Sequence, residues 1–114
     1  MQDKVCVITG ANSGIGKSTT MEIAKMGASI AMVCRNQTKA EQAKEEIVRA
    51  SKNTNIEIFL CDFADQNQIK KVAKQLITHY PTIDILINNA GFISTSKTRE
   101  VTPEGLEKTV AVNH

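Results

Sequence analysis

No apolar run in this chain of 114 residues approaches the roughly 20 residues that a membrane-spanning helix needs. The opening Met1-Gln2-Asp3-Lys4 lacks the character of a secretory leader, and a cytoplasmic location is expected. No two of the three cysteines, Cys6, Cys34 and Cys61, form a C-x-x-C pair. Each stands in or beside an apolar run, so reduced thiols are expected rather than a metal site or a disulfide framework. Cys34 is expected to pack rather than to react. Charge of one sign is also scarce. The formal net charge is only +2 and the lysines are scattered, which argues against a nucleic-acid surface. Internal repeats, low-complexity segments and linker-like shifts in composition are missing as well. A hydrophobic fraction of 41% is enough for one small packed domain.

Along the chain, strand and helix patterns alternate. Lys4–Thr9 is β-branched and apolar, and reads as a strand. Ile15–Met26 has helical spacing through Ile15, Thr19, Ile23 and Met26, with Gly27 placed to end it. Ser29–Cys34 is the second strand. Thr38–Ser51 is a charged helix with Ala43, Ile47 and Ala50 inward, and Glu45–Arg49 at i, i+4 partly offsets the Glu41–Glu45 repulsion. Asn55–Cys61 alternates through Ile56, Ile58 and Leu60, as a strand does when one face is less buried.

Asp65 can cap a third helix whose apolar stripe is Ile69, Val72, Ala73, Leu76, Ile77 and Tyr80, with Pro81 marking its end. Asp84–Asn88 contains the continuous apolar run Ile85-Leu86-Ile87, expected of a parallel strand covered on both faces. Phe92–Val101 reads as a polar loop, and Thr102-Pro103 as the cap and first turn of a last helix. Short joints between alternating elements imply right-handed βαβ units and an α/β fold with a parallel sheet in the order 3-2-1-4.

Between the first strand and the first helix lie Gly10, Gly14 and Gly16. A glycine there permits a tight turn, a close approach of backbone to a diphosphate, and close packing of helix on strand. The helix start adds unpaired N–H groups and a positive dipole end. A phosphate-hydrolysing Walker A loop is excluded. Gly16-Lys17-Ser18 is present, but Ala11 stands five residues before Gly16, where a glycine is required.

Thr9-Gly10-Ala11-Asn12-Ser13-Gly14-Ile15-Gly16 resembles the T-G-x-x-x-G-I-G motif of the short-chain dehydrogenases/reductases. Asn88-Asn89-Ala90-Gly91 is similar to the family's N-N-A-G motif, Asp62 to its adenine-contacting aspartate, and Asn113 to the asparagine of its catalytic tetrad. The stretch around the glycines together with Cys34-Arg35 looks most like the retinol-dehydrogenase-like branch. The resemblance implies a Rossmann-type doubly wound sheet and a nicotinamide cofactor. The implied cofactor-binding set is Gly10, Asn12, Ser13, Gly14, Ile15, Gly16, Arg35, Asp62, Asn89, Ala90 and Gly91. Asn113 would contribute a backbone carbonyl to a proton relay; as a mid-helix asparagine it has poor local propensity.

NAD(H) binding requires a carboxylate near the end of the second strand. That place holds Cys34 followed by Arg35. No acidic side chain repels a 2′-phosphate there, and a guanidinium is on hand to pair with it, so NADP(H) is expected over NAD(H).

The family's chemistry uses a Ser, a Tyr and a Lys, the last two spaced Tyr-x-x-x-Lys. The single tyrosine here, Tyr80, is followed four residues later by Asp84, and lies on the third helix's apolar stripe as a packing residue. The resemblance therefore implies that residues 1–114 are the cofactor-binding, N-terminal portion of a single domain whose catalytic Ser, Tyr and Lys lie beyond His114. The expected partner is a small-molecule carbonyl or alcohol, and pairing of subunits is left open. Residues 1–114 alone are expected to be inactive. The competing readings are a dinucleotide-binding module without catalysis and an inactive truncated product.

Overall fold

The computed structural model describes residues 3–11 and 14–88. Seven elements follow in order: β1 Val5–Thr9, α1 Gly14–Lys25, β2 Ser29–Cys34, α2 Gln37–Ser51, β3 Ile56–Leu60, α3 Gln66–His79 and β4 Ile85–Asn88. Each of the seven matches an element expected from the sequence, with boundaries within a residue or two. The strands are parallel and their order is β3-β2-β1-β4, the doubly wound arrangement anticipated from the βαβ pattern. Because the sheet is parallel, all four carboxyl ends meet at one rim.

The period of two along β1 and β2 divides the core. Cys6, Ile8, Ile30, Met32 and Cys34 enter one cluster with Ala24, Ala40, Ala43 and Ile47, under α1 and α2. Val7, Ala31 and Val33 enter the other with Ile69, Val72, Ala73 and Leu76 of α3. Burial of each such large aliphatic side chain contributes about 1.5–3 kcal/mol. Cys34 and Cys61 belong to clusters on opposite faces of the sheet, so the fold holds them apart. All three cysteines are buried thiols outside any disulfide.

Two faces differ from the sequence reading. On α1 the buried residues are Gly16, Thr20 and Ala24, while Ile15 is 79% and Met26 56% exposed. Small residues at i, i+4 and i+8 let this helix approach the sheet closely, and hydrophobicity alone points to the wrong stripe. The buried Thr20 hydroxyl donates to the Gly16 carbonyl at 2.7 Å, so its polarity is satisfied within the helix. On α2 the inward alanines are Ala40 and Ala43, and Ala50 is exposed.

The helix ends follow their local chemistry. Asp65 caps α3, its carboxylate accepting from the Asn67 N–H at 2.9 Å, and α3 closes at His79, two residues before Pro81. The Arg49–Glu45 pair forms at 2.7 Å, and Lys17 of α1 pairs with Glu46 of α2. Tyr80 is buried in the α3-side cluster. Burial, with Glu57 nearby, pushes its phenol up to about 12, which suits packing rather than proton transfer. Among the described residues, no helix is long and apolar enough to cross a membrane.

Candidate dinucleotide-binding site

The carboxyl rim begins at Gly10, whose N–H donates to the Val33 carbonyl at 3.1 Å and so carries the β1–β2 ladder into the turn. Gly10 has φ 63° and Gly14 φ 55°, a left-handed conformation that costs another residue about 1–2 kcal/mol. A Cβ built on Gly14 would meet nothing within 4 Å. Its requirement is conformational, and the space outside the turn is open. α1 starts at Gly14 with no acidic residue in its first turn. No acidic side chain of that first turn answers its leading N–H groups and positive dipole end. Ile15 stands beside this turn as the most exposed large hydrophobic residue among those described.

Next to the turn, a cleft of about 370 Å³ is lined by Gly10, Val33, Cys34, Arg35, Asn36, Lys39 and Phe63. Asn36 caps α2, its Oδ1 accepting from the Lys39 N–H at 3.0 Å. The cap fixes Arg35 immediately before the helix and Lys39 within its first turn, both exposed. Among the described residues, no carboxylate lines this cleft, and α2 has no acidic residue in its first turn. Among the described residues, neither Arg35 nor Lys39 forms an ion pair. Cations at a helix N-terminus work against the macrodipole by a few tenths of a kcal/mol each. A bound anion would turn that local penalty into attraction.

Asp62 lies one residue beyond Cys61, half-buried. Its Oδ1 accepts from the Ala64 N–H at 3.0 Å, its own N–H donates to Gln68 Oε1 at 2.7 Å, and its carbonyl accepts from the Asp65 N–H at 3.0 Å. Asp62 does not itself line the cleft; its neighbour Phe63 does. The structure thus brings Gly10 and Arg35 together at one cleft, with Gly14 and Gly16 in the adjoining turn and helix start. Asn12, Ser13, Asn89, Ala90, Gly91 and Asn113 lie outside the described residues, as does the expected helix from Thr102.

Sequence reasoning assigned no role to Lys39, Asn36 or Phe63. The signal for the first two was present: two cations four residues apart with an asparagine cap between them. Phe63 joins the cleft only because β3 lies beside β2. Two larger open grooves flank the β3 edge, one bounded by α2 and the other by α3, and neither includes a residue of the glycine turn. Among the described residues, no group of three His, Cys, Asp or Glu could hold a metal ion.

Comparison with known proteins fits this geometry. A family model described as short chain dehydrogenase matches residues 4–114. The chain is 44% identical over 110 residues to human dehydrogenase/reductase SDR family member 12, covering 96% of this chain and 34% of that protein. It is 40% identical over 111 residues to retinol dehydrogenase 12 of Bos taurus, covering 97% and 34%. These matches bear out the branch resemblance read around the glycines and Cys34-Arg35. The chain spans about a third of the length of these relatives. Among solved structures, a short chain dehydrogenase from Shigella flexneri complexed with NADP aligns with TM-score 0.71 and 26% identity, over 81% of this chain and 39% of that one. Menthone neomenthol reductase from Mentha piperita aligns with TM-score 0.71 and 25% identity, over 81% and 33%.

Proposed function

The chain belongs to the short chain dehydrogenase family, and from that premise we propose that it forms the cofactor-binding part of an NADP(H)-dependent oxidoreductase acting on a small carbonyl or alcohol. The observation that carries the NADP(H) reading is the cleft between Gly10 and α2, where, among the described residues, two cations and no carboxylate stand at a capped helix N-terminus. An NAD(H) site would place an acidic side chain at the end of β2 to accept from the ribose hydroxyls. Here that position is Cys34, buried toward the α1–α2 core.

Within this proposal the chain's residues bind and orient. The turn at Gly10 and Gly14 and the start of α1 would receive the pyrophosphate on backbone N–H groups. Arg35 would meet the 2′-phosphate with a planar, bidentate-capable guanidinium, and Lys39 would add a second positive charge from the first turn of α2. Asp62 would present a carboxylate oxygen to the adenine. When bound, the nicotinamide supplies hydride chemistry; the protein's share is position and electrostatics. Asn113 would contribute through its backbone carbonyl to proton transfer. The relatives' names include a retinol dehydrogenase, which supports alcohols of that kind as candidate substrates.

The test is a titration of the purified protein with NADPH and NADH, followed by nicotinamide fluorescence. NADPH is expected to bind at least about tenfold more tightly, the contribution of one charge-assisted contact. Equal affinities, or preference for NADH, overturn the cofactor reading. Loss of nicotinamide absorbance with a panel of aldehydes and ketones then tests the reaction.

A further inference from the structure

We propose that Gln68 is a positioning residue that fixes Asp62 for adenine recognition; the inference rests on the dinucleotide reading above. Gln68 is the third residue of α3, where a capping-box side chain normally returns to the N–H of the cap residue. Here the cap residue is Asp65, and its N–H is already taken by the Asp62 carbonyl at 3.0 Å. The Gln68 carboxamide therefore reaches three residues further back, and its Oε1 accepts from the Asp62 N–H at 2.7 Å. Its Nε2 leans on Asp65 Oδ2 at 3.5 Å. The first turn of α3 is thereby tied to Asp62, two residues past the end of β3.

As a result Asp62 is held at three points: its N–H by Gln68, its carbonyl by the Asp65 N–H, and its Oδ1 by the Ala64 N–H. The preceding residue is fixed too, the Cys61 N–H donating to the Cys34 carbonyl at 3.0 Å. One polar atom is left over. Among the described residues, Asp62 Oδ2 takes no hydrogen bond. It is a single oriented acceptor beside Phe63, which lines the cation cleft. A lone anionic acceptor matches an exocyclic amino group. It repels the oxo group that stands at the same place in hypoxanthine. Orientation matters because the gain is lost if the carboxylate swings, and among the described residues Gln68 is the one side chain gripping the backbone of Asp62.

The Asp62–Gln68 hydrogen bond is solvent-exposed, so water can replace it in the fold while leaving Asp62 unlocked. The experiment compares NADPH with its hypoxanthine counterpart, nicotinamide hypoxanthine dinucleotide phosphate, by titration of wild type, Gln68→Ala, Gln68→Asn and Gln68→Glu, with melting temperatures alongside. Wild type is expected to prefer the adenine form by about tenfold, the order of one oriented hydrogen bond to a charged group. Gln68→Ala should weaken NADPH about fivefold and the hypoxanthine form less than about twofold, drawing the ratio toward one. Gln68→Asn, one methylene too short to reach Asp62, should behave the same way and serves as the readout if the alanine variant is unstable. Gln68→Glu keeps an acceptor oxygen and should retain most of the preference.

An unchanged ratio in both Gln68→Ala and Gln68→Asn overturns the inference. So does equal weakening of the two dinucleotides, which would mean a general loss of the loop. A wild type that binds both bases alike overturns it through Asp62. A wild type that binds neither dinucleotide fails the underlying functional reading, a separate and distinguishable result.

Discussion

At the amino rim of the sheet, the Asp84 carboxylate accepts the Val5 N–H at 2.9 Å and lies 4.0 Å from the Lys4 ammonium. On the same rim, before β2 and β3, the Asn53 carboxamide donates to the Ala24 carbonyl at 3.1 Å and the Ala28 carbonyl at 2.7 Å, while its Oδ1 accepts from the Asn55 N–H at 2.9 Å. Polar groups there are paired within the chain, and the end of α1 is tied to the loop before β3. At the carboxyl rim the arrangement is reversed. Two glycines hold left-handed turns, two helices begin without an acidic residue, and Arg35 and Lys39 lack ion pairs among the described residues. The amino rim pairs these groups within the fold; the carboxyl rim pairs Asn36, Asp62 and Asp65 in its loops and caps but leaves Arg35 and Lys39 facing outward. Local rules broken at one end of a well-satisfied sheet are what a binding site looks like.

The contrast can be broken most directly at Arg35. Arg35→Asp is predicted to weaken NADPH about 100-fold, through loss of a charge-assisted contact and added repulsion, while NADH changes less than about threefold. Equal losses by titration would mean that the carboxyl rim does not receive a 2′-phosphate. At the opposite rim, Asn53→Ala removes the carboxamide donor from the Ala28 and Ala24 carbonyls, of which Ala24 keeps the Gly27 N–H, and the acceptor from the Asn55 N–H. It should lower unfolding stability by about 2 kcal/mol in urea while NADPH affinity stays within about twofold. A large loss of affinity there would erase the division between the rims.

Between the rims, burial pushes the Cys6 thiol up to about 12. It pushes Cys61 up to about 11, with Asp62 and Asp65 adding to the effect. The folded state holds these protons more tightly than the unfolded chain, whose thiols titrate near 9.0. Stability should therefore be level below about pH 9 and fall as pH rises toward 12, by about 1 kcal/mol per thiol at pH 10. Cys6→Ala should flatten that alkaline fall; an identical pH profile would remove burial of Cys6 as its cause. The smallest effect sharpens the comparison most. Lys39→Ala should weaken NADPH several-fold yet raise the ligand-free stability by a few tenths of a kcal/mol, because it removes a cation from a helix N-terminus. A loss of stability instead would give Lys39 a structural role.

Much of this was legible along the chain. Alternating apolar runs, the Asp65 cap and Pro81 set the elements, because caps and period-two alternation act over a few residues. Gly10, Gly14 and Arg35 could be placed at one rim because a parallel βαβ unit allows no other place for them. The buried face of α1 was not legible: Gly16, Thr20 and Ala24 are inside because they are small, and a hydrophobic count selects Ile15 and Met26.

The sequence by itself therefore determined the order of elements, the parallel sheet and the glycine turn, since each follows from local conformational preference and the handedness of the crossover. Only the tertiary structure decided which side chains share the cleft and which anchor the loop. Phe63 lines the same cleft as Arg35 and Lys39 because β3 pairs with β2. Gln68 holds Asp62 because the Asp65 N–H was already engaged. Such partnerships depend on distances that close only once the strands are in register, and no spacing along the chain encodes them.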